Sequence, residues 1–264
     1  MDLHIAGMTA LVLGGTRGLG LACAQALAAE GVRVLVNGRD RAHGESVAAS
    51  LPGAVFVPGD IGDDQARDAL IADVRRLALA AAGLGEPRII VTNAGGPPAG
   101  PFEDTRADDW RRWHDTSVIG PLEVVRAFLP TMRACRYGRV LNITSFVVKE
   151  LYPNMSLSNS MRVALTGAMG ALAREVAADG VTVNGLLPGL MDTGALQRVI
   201  ADRMRRGGVE EGEVRGRMAA EIPMRRLGTA EDFGALCAFL ASPLASYITG
   251  QNVCVDGGLT KTTT

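Results

Sequence analysis

Seven short, continuously apolar runs limit what this chain can fold into. They are Thr9–Leu13, Arg33–Asn37, Ala54–Pro58, Arg88–Thr92, Gly138–Ile143, Val181–Leu186 and Asn252–Val255. Runs without polar alternation suit strands that are covered on both faces. Between them lie Ala-rich stretches with helical spacing: Leu21–Ala29, Gln65–Ala81, Ala107–Ala134, Ser158–Ala178 and Ala230–Leu240. Strand–helix alternation predicts a parallel sheet with right-handed crossovers. The fold class expected is α/β: a single-domain, doubly wound, seven-stranded parallel sheet with helices on both faces. No linker composition divides residues 1–264, and single α/β domains reach this length. Residues Thr193–Glu221 break the rhythm with many charges and Gly207, Gly208, Gly212 and Gly216. Such an insertion after a strand reads as a substrate lid, with disorder as the alternative.

Charge and composition exclude several partners. The net charge is −1, which argues against a nucleic-acid or anionic-membrane surface. No apolar run reaches the ~18 residues of a membrane span. The first residues lack the basic and apolar regions of a signal peptide, so a cytoplasmic setting is expected. Cys23, Cys135, Cys237 and Cys254 are widely spaced, with no metal-ligand pattern. They read as small buried hydrophobes, and no metal is expected.

Glycine is in excess, with 33 among 264 residues. One group has an immediate physical reading. Gly14-Gly15-Thr16-Arg17-Gly18-Leu19-Gly20 follows the first strand and opens a helix. There the backbone turns tightly and can approach a pyrophosphate closely. The helix N-terminus adds free N–H groups and a positive dipole end. A glycine turn in this strand–turn–helix context points to a dinucleotide site and a Rossmann fold. The second strand ends Asn37-Gly38-Arg39, where an NAD site usually carries a carboxylate for the ribose 2′-hydroxyl. Arg39 and Arg17 would instead bracket a 2′-phosphate, which favours NADP(H) over NAD(H). The alternative is that both arginines are solvated surface residues.

Taken in order, these segments resemble the short-chain dehydrogenase/reductase family over nearly the whole chain. The glycine loop supplies Gly14, Thr16, Arg17, Gly18, Leu19 and Gly20. Asp60, followed by Ile61, matches the family's adenine-contacting Asp, and Asn37 ends the second strand. Thr92-Asn93-Ala94-Gly95 looks like the Asn-Asn-Ala-Gly motif, with Thr in its first place. Gly138–Ser145 looks like the fifth strand ending on the catalytic serine. Val183-Asn184, then Pro188-Gly189 and Thr193, resemble the stretch that lines the nicotinamide. Arg226–Asp232 and Thr249–Gly258 match the C-terminal signature. The Asn93–Pro98 run and Ser145–Arg162 resemble a subgroup similar to β-ketoacyl-carrier-protein reductases. The resemblance implies a small-molecule substrate and assembly as a homotetramer or homodimer.

The departures fall on the reacting groups. The family's tetrad is Asn, Ser and Tyr-x-x-x-Lys, and only Ser145 is kept. The Asn slot falls on Ser117, the Tyr slot on Ser158 and the Lys slot on Arg162. Ser158 and Arg162 are one helical turn apart, so they share a face. A serine hydroxyl is a poor acid near neutral pH, whereas a tyrosine with lowered pKa is a usable one. Arginine stays protonated; it can orient an anion or a ribose hydroxyl but cannot relay a proton. Lys149 or Tyr152 folding back over the nicotinamide would supply the proton; ordinary loop roles are the alternative for both. Ser145 and Ser158 could hold a carbonyl oxygen. Ser158 reads equally as the N-cap of its helix.

The function expected is an NADP(H)-dependent oxidoreductase acting on a carbonyl or alcohol. The missing tyrosine and lysine keep two alternatives open. One is a non-redox isomerase, dehydratase, cyclase or lyase on the same scaffold. The other is a catalytically silent cofactor-binding protein.

Overall fold

The computed structural model describes residues 1–80 and 85–262. Its seven strands are β1 (Thr9–Val12), β2 (Arg33–Gly38), β3 (Val55–Pro58), β4 (Ile89–Thr92), β5 (Gly138–Ile143), β6 (Val181–Pro188) and β7 (Asn252–Val255). They form one parallel sheet in the order β3-β2-β1-β4-β5-β6-β7. All seven expected strands are present, and their ends shift by no more than two residues.

Alternation along each strand sends neighbouring side chains to opposite faces. Ala10, Val12, Val34, Val36, Ile89 and Val91 face one layer, with Cys23 and Leu27 of α1 (Gly18–Ala29) and Phe233 and Cys237 of α9 (Ala230–Ala241). Leu11, Leu13, Leu35, Ile90, Val140 and Val183 face the other. That layer holds α3 (Asp64–Ala80), α5 (Gly120–Ala134) and α6 (Ser156–Val176). The sheet is therefore buried on both faces, which is why its strands lack polar alternation. Cys23 and Cys237 are core residues as expected, whereas Cys135 is exposed at the end of α5.

Several elements differ from the sequence expectation. A helix α2 (Arg41–Ala49) follows β2, capped by the Asp40 carboxylate, which accepts from the His43 N–H at 3.1 Å. The expected Ala107–Ala134 helix is split into α4 (Ala107–His114) and α5 by a π-helical turn at Asp115–Ile119. Gly120 follows that turn because a Cβ there would lie 2.4 Å from the Ile61 carbonyl. Thr193–Glu221 is ordered as two helices, α7 (Gly194–Gly207) and α8 (Glu211–Glu221). The helix expected over Gln65–Ala81 is α3, and Ala81 itself lies outside the described residues. No helix among the described residues is long and apolar enough to cross a membrane.

Helices α1 and α9 approach so closely that a Cβ on Gly234 would lie 2.7 Å from the Ala22 carbonyl. Phe233, fully buried in that layer, has nothing to replace it. Phe233→Ala is expected to lower unfolding stability by about 3–5 kcal/mol, read as a lower urea midpoint at unchanged slope.

Candidate active site

The chain reverses its strand order between β1 and β4, and the crevice beyond their C-terminal ends is where doubly wound sheets bind ligands. The glycine loop closes the β1 side. Gly14 has φ 55° and Gly18 has φ 56°, a left-handed conformation that glycine adopts without strain. Asn93, just after β4, donates from Nδ2 to the Gly14 carbonyl at 3.1 Å. A Cβ on Gly20 would sit 2.3 Å from that carbonyl oxygen and 2.7 Å from Asn93 Nδ2. The loop thus leaves room for backbone only, and α1 opens at Gly18 with its N–H groups free toward the crevice. Leu19 anchors this turn to the core. A pyrophosphate fits this cradle. Thr193, capping α7, comes from the opposite wall; its Cβ lies 3.9 Å from a Cβ position on Gly18.

The end of β2 holds the two arginines. Arg17 lies 3.5 Å from the Asp40 carboxylate, and Arg39 lies 3.5 Å from Asp60. All four side chains are exposed enough that these pairs contribute little to stability. His43 Nε2 lies 3.1 Å from the Thr16 carbonyl, beside the same pocket. Asn37 is a scaffold residue in its side chain. Its Nδ2 donates to Val57 and Gly59 carbonyls at 3.1 Å, and its own carbonyl accepts from the Gly15 N–H at 2.9 Å. Asp60 also accepts from the Gly62 N–H at 3.0 Å, which shapes the turn holding buried Ile61. Pro188 ends β6, and the Gly189 N–H donates to the Val255 carbonyl at 3.0 Å.

A cleft opens between β4, β5, α6 and the π-helical turn. Its walls include Asn93, Ala94, Gly95, Ser117, Ser158 and Arg162. The structure therefore brings Ser117, Ser158 and Arg162 together. Helix α6 begins at Ser156, two residues before the expected start, so Ser158 is not its N-cap. Its buried hydroxyl instead accepts from Arg162 Nε at 3.1 Å. Arg162 also donates from Nη1 to the Thr144 carbonyl at the end of β5. Burial lowers the Arg162 pKa to about 10, so the guanidinium stays charged at neutral pH. It is the only ionisable side chain among the described residues that line the cleft.

The other candidates lie apart from this cleft. Ser145 follows Thr144 in extended conformation, and its Oγ accepts from the Val147 N–H at 3.3 Å. Lys149 is half-buried at the end of the same turn and makes no ion pair among the described residues. Tyr152 packs edge-on against Phe146, with ring centroids 5.2 Å apart. Burial raises its pKa, and Glu221 and Glu150 push it further up. A tyrosine acid needs the opposite shift. Sequence reasoning missed the Thr144 carbonyl, which carries no residue-type signal, and His43, which the Asp40 cap would have placed.

Comparison with known proteins identifies the family. Residues 14–260 match a family model described as enoyl-(acyl carrier protein) reductase. The chain belongs to the short-chain dehydrogenase/reductase family. It is 28% identical to the NADPH-dependent reductase BacG of Bacillus subtilis, over 96% of this chain and 98% of that protein. It is 30% identical to the 3-oxoacyl-[acyl-carrier-protein] reductase FabG of Haemophilus influenzae, over 96% of this chain and 98% of that protein. The solved L-sorbose reductase of Gluconobacter frateurii, complexed with NADPH and L-sorbose, superposes with a TM-score of 0.91 at 28% identity. That match covers 99% of this chain and 100% of that one.

Gly20→Ala is expected to weaken NADPH binding at least tenfold, because the added methyl forces the loop away from Asn93. Fluorescence titration of NADPH checks this, with circular dichroism confirming that α1 is retained.

Proposed function

We propose that this chain is an NADPH-dependent oxidoreductase that reduces the carbonyl of a small molecule, in an active site lacking the family's tyrosine acid. One observation carries the reading: an intact dinucleotide cradle opens onto a cleft where Ser158 and Arg162 are hydrogen-bonded to each other. When bound, NADPH supplies the hydride. The phosphate loop and α1 hold the pyrophosphate, and Arg17 and Arg39 take the 2′-phosphate. Asp60 and Ile61 border the adenine, and Asn93, Ala94, Gly95, Pro188, Gly189 and Thr193 border the nicotinamide half.

Ser158 is set up as a donor. Its Oγ already accepts from Arg162, so its hydroxyl proton is left to point at a substrate oxygen. Ser117 adds a second hydroxyl to the cleft. Together these groups stabilise negative charge on that oxygen without delivering a proton of low pKa. Helices α7 and α8 form the lid of the single domain. Arg215 of α8 grips Asp192, at the foot of the lid, with two bonds of 3.0 and 3.1 Å.

Having no group that titrates near neutrality among the described cleft residues also supports a second reading, a non-redox reaction on the same scaffold. The two separate by absorbance. With NADPH and a panel of aldehydes and ketones, the nicotinamide band should fall. Ser158→Ala should lower kcat/KM at least tenfold while leaving NADPH affinity within about twofold. A panel that turns over without loss of the band would replace the redox reading with the non-redox one.

Arg39→Ser is expected to raise the KM for NADPH roughly ten- to hundredfold and to leave that for NADH nearly unchanged. The size follows from losing one charge-assisted hydrogen bond, about 1.5–3 kcal/mol. Steady-state rates with each cofactor measure it.

A further inference from the structure

We infer that His43 is a positioning residue for the 2′-phosphate of the cofactor. From the first turn of α2 it holds the Thr16–Arg17 peptide, and so sets where the Arg17 guanidinium stands. This rests on the reading that Arg17 and Arg39 take that phosphate.

A ring of contacts closes at the end of β2. One oxygen of the Asp40 carboxylate accepts from the His43 N–H at 3.1 Å and caps α2. The other oxygen lies 3.5 Å from Arg17 Nη2. The His43 ring reaches back, and its Nε2 meets the Thr16 carbonyl at 3.1 Å. The peptide bond from Thr16 to Arg17 completes the ring. A carbonyl oxygen only accepts, so Nε2 carries the proton. Both ends of this bond are fixed by packing. Thr16 lies on the end of β2, where a Cβ on Gly38 would come within 2.7 Å of Thr16 Cγ2. Helix α2 lies on β3, where a Cβ on Gly44, next to His43, would collide with the Phe56 ring.

The bond acts on one part of the glycine loop. The Gly14 carbonyl is held by Asn93 Nδ2, and the Gly15 N–H by the Asn37 carbonyl. Those ties, with the tight turn at Gly18 and Gly20, shape the pyrophosphate cradle, which serves a phosphorylated and an unphosphorylated dinucleotide alike. His43 acts at the tip of the loop, which carries Arg17. The pair between Arg17 and Asp40 is long and exposed, so it fixes the guanidinium weakly. A hydrogen bond to the carbonyl just before Arg17 sets the plane of that peptide, and with it the direction in which the side chain leaves the loop. Arg39 stands outside the ring and pairs with Asp60 at 3.5 Å. His43 therefore serves one of the two phosphate arginines and not the other.

The test titrates NADP⁺ and NAD⁺ by calorimetry into the full-length protein and its variants. Losing one hydrogen bond in His43→Leu is expected to weaken NADP⁺ binding about three- to tenfold and to leave NAD⁺ within about twofold. His43→Gln, which keeps an N–H at about the same reach, should return NADP⁺ to within about twofold of the unmodified protein. In an Arg17→Ala background His43→Leu should cost nothing further, whereas in an Arg39→Ser background it should cost as much as before. A parallel loss of both cofactors makes His43 a tie for the whole loop and overturns the inference. Unchanged NADP⁺ affinity in His43→Leu, or a full further loss on top of Arg17→Ala, also overturns it. If Arg39→Ser loses the preference for NADP⁺ and His43→Leu keeps it, the inference falls and the phosphate placement stands. If the unmodified protein binds both cofactors equally, the placement falls and takes the inference with it.

Discussion

The hydrogen bond from Asn93 Nδ2 to the Gly14 carbonyl spans the point where the sheet changes direction. The rest of the site depends on it. Strands β1 and β4 are neighbours in the sheet but far apart in sequence, and the segments that follow them diverge to opposite layers. The bond extends the pairing of β1 with β4, where the Leu13 N–H donates to the Val91 carbonyl at 2.9 Å, so that the backbone of Gly14 and the start of the Ala94–Gly96 wall share one rim. The close approach at Gly20 is the steric counterpart of that bond, since no side chain fits where the amide and carbonyl meet.

From this rim the chemistry divides. On one side the glycine loop and the opening of α1 leave room for backbone only. On the other, Arg162 and Ser158 bond to each other and Arg162 also grips the end of β5. Arg162 is the one ionisable side chain among the described residues that line the cleft, and it stays charged at neutral pH.

The seven strands were legible because burial on both faces leaves nothing but apolar residues in each, and the phosphate loop because glycine has no substitute there. The shared face of Ser158 and Arg162 followed from their spacing of one helical turn. Other features left no such trace. Helices α7 and α8 are rich in charge and glycine, and they bury their few large apolar residues, Leu196, Ile200, Val214 and Met218, against one another. The π-helical turn that places Ser117 arises from how α4 and α5 meet the Ile61–Gly62 turn, a tertiary constraint. Asn37 looked like a ligand-facing residue, yet its amide is spent joining β2 to the turn after β3.

The paired charges at the end of β2 have a consequence for how a cofactor would be chosen. Arg17 and Arg39 are each steadied by a carboxylate of their own, Asp40 and Asp60. Were they to take a 2′-phosphate, each would exchange a weak, exposed pair for a stronger charge-assisted one. A dinucleotide without the phosphate would leave those pairs as they are, so no cation would be stranded. Selection at this end of the site would work by reward and not by exclusion. Such a site would stay open to the unphosphorylated cofactor whenever that form is in large excess.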